Sequence, residues 1–184
     1  LLVGLFHRKK TGRGQRIDIS QVEGMHQLGV HGSIEQGLSG ESPQRTGSRH
    51  PIFVPHGVFA CSEPDSWLVI AVTQENEWLG LCRVMGRSDL VQDCSLRSRE
   101  GRREQENKIE SAISRWTAAV TKKEGMHMLQ EAGVPAGAVL QATELLDDEG
   151  LVERKFWVKI DRHVVGRKSH PLTPWKVNGE RAPI

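Results

Sequence analysis

The stretch RTGSRHPIFVPHG, residues 45–57, limits the folds open to this chain more than any other. Pro51 and Pro55 each fix φ and remove a backbone donor, so no regular helix runs through it and a central strand is disfavoured. Residues 37–57 as a whole read as irregular. The stretch carries two Arg, two His and no acid. Gly47 and Gly57 let a backbone approach a ligand closely. Arg45 and Arg49 offer planar forks to a carboxylate or phosphate, and His50 and His56 donate or accept near neutral pH. Composition alone leaves two readings open, a stiff surface connection and an anion clamp.

On either side, short β runs alternate with amphipathic helices. Residues 1–8 read as the last turns of a helix, with His7, Arg8, Lys9 and Lys10 at its C-terminal end, and TGRGQ (11–15) as a turn. QRIDIS sets Ile17 and Ile19 against Arg16 and Asp18, the pattern of a short half-buried strand. Ser20 caps a helix through about residue 29, with Glu23 at the capping-box position. SWLVIAVT (66–73), a continuous apolar run after a turn, is the clearest strand. Residues 75–85 read as a helix with Trp78, Leu81, Cys82 and Met85 on one face. Segment 97–108 is dense in both charge signs and reads as a solvated link. It enters a helix over 107–120 with the stripe Ile109, Ile113, Trp116. TKKE (121–124) is a capping box for a helix that stops at Gly133, with Pro135 just beyond. GAVL (137–140) reads as a strand and Thr143 as the cap of a helical turn. FWVKI and HVVG read as a hairpin around Asp161 and Arg162.

The 184 residues suit one domain, or one medium and one small domain. Hydrophobic content of 37% and charged content of 26% belong to a globular chain. No apolar run approaches the ~18 residues of a membrane span, and the start lacks the marks of a signal peptide. A net charge of +2 is too small to imply nucleic acid. Cys61, Cys82 and Cys94 show no paired spacing, which reads as reduced thiols in a cytoplasmic protein. With no initiator Met, and with ERAPI closing the chain outside any element, a piece of a longer polypeptide is expected.

Few other residues suggest chemistry. There is no P-loop or G-x-G-x-x-G, and TGRG precedes a strand pattern rather than a helix. No histidines stand in the zincin arrangement, His26 and His31 read as solvated or hydrogen-bonded, and no metal site is expected. Asp147, Asp148 and Glu149 read as solvated or capping, Asp18 as a structural acceptor, and Cys61 as a packed thiol. The basic patch at 7–16 holds five Lys or Arg and no interleaved aromatic, which suits a solvated helix end better than single-stranded nucleic acid.

Four motifs in register are similar to one family. TGRGQRIDISQVEG, RTGSRHPIFVPHGVF, WLVIAVTQENEW and EAGVPAGAV follow one another as in family III CoA-transferases of the CaiB/BaiF type, and TPWKVNGERAPI resembles the closing segment. The resemblance implies an α/β enzyme with a large Rossmann-like CoA-binding domain, a small α+β domain and two interlocked subunits. Residues 1–45 would end the large domain, and 46–184 would be the small domain, truncated at its C-terminus. The implied activity moves CoA between carboxylic acids through an aspartyl-CoA thioester, with CoA as substrate and no permanently bound cofactor.

The nucleophilic Asp of that family falls before Leu1, so no catalytic residue is expected in this chain, which would be inactive alone. Loop 45–57 resembles the substrate-side loop that closes over the acyl group. That assigns Arg45, Gly47, Arg49, His50, His56 and Gly57 to substrate binding. The partners implied are acyl-CoA, a carboxylic acid and a second subunit as a homodimer, with neither nucleic acid nor membrane. Two alternatives are a 2-methylacyl-CoA racemase on the same scaffold and a non-catalytic anion-binding module.

Overall fold

A computed structural model describes residues 1–181; Ala182, Pro183 and Ile184, the end of the expected closing segment, lie outside the described residues. The backbone separates into two compact units, Leu1–Gly47 and Ser48–Ile184.

In the first unit, α1 (Leu2–Thr11) ends on Gly12 at φ 71, whose N–H returns to Arg8 O. Its last turn is basic, as the charge pattern predicts. Helix α2 (Gln21–His26) starts where Ser20 Oγ accepts from Glu23 N, and α3 (Val30–Ser39) follows. The strand expected at QRIDIS does not form. Residues 13–20 carry no ladder, and Ile17 and Ile19 are 44% and 68% exposed. Alternation proposes a strand, but only a paired neighbour satisfies its backbone groups. The first unit buries none of its residues.

The second unit opens with β1 (His56–Ala60) and β2 (Trp67–Ala71), then α4 (Glu75–Val84) and α5 (Ser88–Gln92). A 3-10 turn at Cys94–Arg97 leads to α6 (Arg99–Glu104), α7 (Glu106–Thr117) and α8 (Lys122–Glu131). After β3 (Ala136–Ala138) and a 3-10 turn at Glu144–Leu146 come α9 (Glu149–Glu153), β4 (Trp157–Arg162) and β5 (Gly166–Pro171). The first three strands form an antiparallel sheet in the order β1-β2-β3, with Val58 opposite Val69 and Val69 opposite Gly137.

The core lies between this sheet and the helices. Phe59, Leu68 and Ile70 meet Trp78, Leu81 and Cys82 of α4, Ile109 and Ile113 of α7, and Leu129 of α8, all buried. Each fully buried aliphatic or aromatic side chain contributes about 1.5–3 kcal/mol. The faces are those the spacing predicts, although Met85 and Trp116 are only half-buried. The Thr121–Glu124 capping box is complete in both directions, and Gly133 stops the chain at φ 77. Two helices meet at bare backbone, because a Cβ on Gly80 would lie 2.7 Å from Ala132 O.

Three local expectations need correction. The hairpin turns at residues 163–165 rather than at Asp161 and Arg162, with Arg162 opposite Gly166, so its second strand is Gly166–Pro171. Gly166 at φ 71 supplies the left-handed residue that closes such a three-residue loop. Thr143 makes no capping bond; instead the Glu144 carboxylate accepts from Gln141 N at 2.7 Å and from Lys122 Nζ at 2.6 Å. The supposed solvated link at 97–108 contains α6, with Arg102 only 3% and Glu106 6% exposed.

Candidate functional site

Arg102 is the residue around which the loop is built. Its Nε donates to Val54 O at 3.1 Å, and its Nη1 donates to Leu96 O at 2.9 Å and to Glu75 Oε2 at 3.0 Å. The guanidinium also sits 5.5 Å from the centroid of the Trp78 ring. A buried cation is tolerated when carbonyl and carboxylate oxygens meet most of its donors. It ties residue 54 to the start of α4 and to the 3-10 turn before α6.

Two further arginines hold the loop against α6 and α7. Arg49 donates through Nε to Glu110 Oε1 at 2.8 Å, through Nη2 to Asn107 Oδ1 at 2.6 Å, and again from Nη2 to Glu110 Oε2. Its hydrogen bond to Glu110 is the main cause that raises the Arg49 pKa. Arg103 donates to both oxygens of Glu106 and, through Nη2, to His50 O at 2.7 Å. Buried Glu106 thus faces Arg103 at 3.1 Å and Arg49 at 3.6 Å. Arg99 lies 5.2 Å from the Phe53 ring centroid and donates to Thr73 O.

The two histidines are fixed by backbone. His50 Nδ1 accepts from Ile52 N at 3.1 Å and Phe53 N at 3.2 Å, a turn that Pro51 prepares by its fixed φ. His56 Nδ1 lies 3.0 Å from Ser48 O. The imidazole centroids are 5.2 Å apart. Gly57 is buried, and a Cβ there would lie 3.2 Å from Phe59 Cζ and 3.4 Å from Ser48 Oγ.

Of the six predicted site residues, the structure brings Arg49, His50, His56 and Gly57 together. Arg45 and Gly47 fall in the first unit; Arg45 is exposed, and Gly47 at φ 64 holds a conformation that side chains disfavour. Sequence reasoning missed Arg102, Arg103, Glu106, Asn107 and Glu110. Their only local signal is the charge density of 97–110, which a solvated surface shares.

The chemical capacity of this arrangement is selective. Both loop-side carboxylates, Glu106 and Glu110, are occupied by arginine, so neither is a free nucleophile. Asp18 is 88% exposed at its side chain, with Arg16 4.0 Å away. Burial pushes the Cys61 thiol up and the Cys82 thiol to about 12, which makes both unreactive. What remains available is two imidazole edges on a rigid loop. A separate groove of about 520 Å³, lined in part by Leu79, Arg83 and Val91, shares no residue with the loop. Among the described residues no group of three or more His, Cys, Asp or Glu could hold a metal ion, and no helix is long and apolar enough to cross a membrane.

The model of CoA-transferase family III matches residues 1–184. The chain belongs to CoA-transferase family III. It is 30% identical over 163 residues to the succinyl-CoA:mesaconate CoA-transferase of Haloarcula marismortui, covering 88% of this chain and 40% of that protein. It is 29% identical over 184 residues to a probable CoA-transferase of Mycobacterium tuberculosis, covering 99% of this chain and 22% of that one. A CaiB/BaiF family protein from Brucella suis has the same fold, with a TM-score of 0.80 at 24% identity over 98% of this chain and 47% of the other. The mixed α/β architecture is therefore the CaiB/BaiF one, and this family III chain spans less than half the length of the relatives it matches.

Proposed function

We propose that the full-length protein transfers CoA from an acyl-CoA to a carboxylic acid, with residues 45–57 as one wall of the acyl pocket. The observation that carries this reading is the family III match over the whole chain, joined to a loop held rigid by three arginines. Relatives named for succinyl-CoA with mesaconate or D-citramalate, and for acetyl-CoA with oxalate, support small carboxylic acids as the acceptor class.

In this reading an Asp upstream of Leu1 attacks the thioester carbonyl and expels CoA thiolate, which leaves a mixed anhydride between the acyl group and the Asp. The thiolate then attacks the aspartyl carbonyl, releasing the first acid and leaving an aspartyl-CoA thioester. Attack by the acceptor carboxylate and return of the thiolate complete the exchange. Splitting one transfer into four acyl substitutions lowers each barrier. CoA is a substrate throughout, and no permanently bound cofactor is invoked.

The assignment of Arg45, Gly47, Arg49, His50, His56 and Gly57 to the substrate side stands within this proposal, with one refinement. Arg49 acts through Glu110 and Asn107, as a positioning residue. His50 and His56 are the groups free to meet substrate. Residues 1–45 end a large domain, the remainder is the small domain, and two full-length subunits interlock as a homodimer.

The test is incubation of the full-length protein with succinyl-CoA and a panel of carboxylic acids, with mass spectrometry of the quenched protein. A new acyl-CoA and a CoA adduct on an upstream Asp are expected. Transfer by residues 1–184 alone would contradict the upstream nucleophile. Deuterium exchange at the α-carbon of a 2-methylacyl-CoA without any acceptor acid would instead indicate a racemase.

A further inference from the structure

The roles above do not explain why the two imidazoles are tied to backbone in opposite ways. His50 Nδ1 accepts two N–H groups, from Ile52 and Phe53, so it carries no proton and the neutral ring bears its hydrogen on Nε2. His56 Nδ1 faces Ser48 O, an atom that only accepts, so that nitrogen carries the hydrogen and Nε2 keeps a lone pair. The backbone thereby sets opposite tautomers in neighbouring rings, 5.2 Å apart between centroids and inclined at 49°.

Both far nitrogens are open. Among the described residues neither Nε2 has a hydrogen-bond partner, and the buried unpartnered side-chain atoms are Ser66 Oγ, His170 Nε2 and two nitrogens of Arg181. Neither Nε2 belongs to that set, so each reaches solvent, one as a donor and the other as an acceptor. The surrounding cations do not compete for them. Arg49 and Arg103 are turned to Glu110 and Glu106, and Arg99 to Phe53 and Thr73 O.

A hydroxyl both donates and accepts through a single oxygen. A hydrocarbon in its place would leave both nitrogens desolvated without partners, and a bare carboxylate would set its lone pairs against that of His56. We propose that His50 and His56 form a specificity pair that selects acids bearing a hydroxyl over their deoxy counterparts. Sites built to bond a hydroxyl reject the analogue lacking it far more strongly than apolar pockets reject a methylene. The inference rests on the CoA-transfer reading, which supplies the acid.

The test uses the full-length enzyme with succinyl-CoA as donor and two matched acceptor pairs, propionate with lactate and butyrate with 3-hydroxybutyrate. The hydroxylated member of at least one pair is expected to show a kcat/KM at least tenfold higher. His50→Asn and His56→Asn retain an amide where Nδ1 stood, so each keeps its backbone bond and loses only the far nitrogen. Each should lower that ratio about fivefold, the worth of one neutral hydrogen bond. His56→Gln restores an acceptor near the Nε2 position and should recover part of the preference.

Transfer with equal kcat/KM for both members of each pair overturns the inference and leaves the CoA-transfer reading intact. No transfer to any of the four acids overturns both for these substrates. Should the Asn variants fail to fold, 15N NMR of the two rings in the unaltered protein decides. Opposite tautomers are expected, and identical tautomers would refute the pair.

Discussion

The two units of this chain spend similar apolar patterns on opposite outcomes. In Leu1–Gly47, Leu2, Val22 and Leu38 are 82%, 81% and 86% exposed, and nothing is buried. In Ser48–Ile184, Leu68, Leu81, Ile113 and Leu129 are fully buried. The difference is closure. Sheet β1-β2-β3 gives α4, α7 and α8 a surface to cover, whereas α1, α2 and α3 have no sheet in their own unit. An amphipathic helix draws most of its stability from such packing rather than from propensity. The same contrast explains why the candidate loop is ordered by the second unit: beyond the turn closed on His50, the bonds that hold residues 48–55 end on β1, α6, α7 or the residue that follows β2.

The largest effects should come from the buried polar centre and the core beside it. Arg102→Ala strands the carbonyls of Val54 and Leu96, and a loss of about 3 kcal/mol is expected in urea unfolding of the second unit. Leu81→Ala should cost about 2–5 kcal/mol by the same measurement. Leu38→Ala should stay within about 0.5 kcal/mol. A similar loss at Leu38 and Leu81 would break the contrast between the units.

Gly80→Ala is expected to cost about 1–3 kcal/mol, since its Cβ meets Ala132 O across α4 and α8. Unchanged thermal unfolding would show that these helices separate freely. Glu110→Gln releases the Arg49 fork at a half-exposed site and should cost only about 0.5–1 kcal/mol. In the full-length enzyme it should raise KM more than it lowers kcat, as expected for a positioning role.

The smallest effect is a pH limb. The Lys122 hydrogen bond lowers the Glu144 pKa, so the pair stabilises the fold above the ordinary glutamate value of about 4.3. That contribution disappears as pH falls through the lower folded value. Glu144→Gln should flatten stability between pH 5 and lower values (roughly pH 3), and an unchanged acid limb would remove the pair from the account.

The sequence was legible where local pattern and burial agree. The run at Trp67–Ala71, the face of α4 and the Thr121–Glu124 box are each decided within a few residues. Helix α3 was also readable, since Val30, Ile34 and Leu38 recur every four residues, but its end fell within residues 37–57, which read together as irregular chain. The burial of Arg102 was not legible. It depends on carbonyls 48 and 6 positions away, and no local periodicity signals an acceptor brought by folding. Loop 45–57 was recognised as irregular, yet its division at Gly47 and the capture of Arg49 by Glu110 arise from tertiary contacts.

Amide hydrogen exchange on residues 1–184 tests the central claim, that the second unit carries its own core and organises the candidate loop. Slow exchange is expected at Ile70, Leu81, Ile113 and Leu129, with measurable protection at Ile52 and Phe53 and fast exchange across residues 13–20. Equal protection of residues 13–20 and the core, or an Ile52–Phe53 turn that exchanges as fast as unfolded chain, would contradict it.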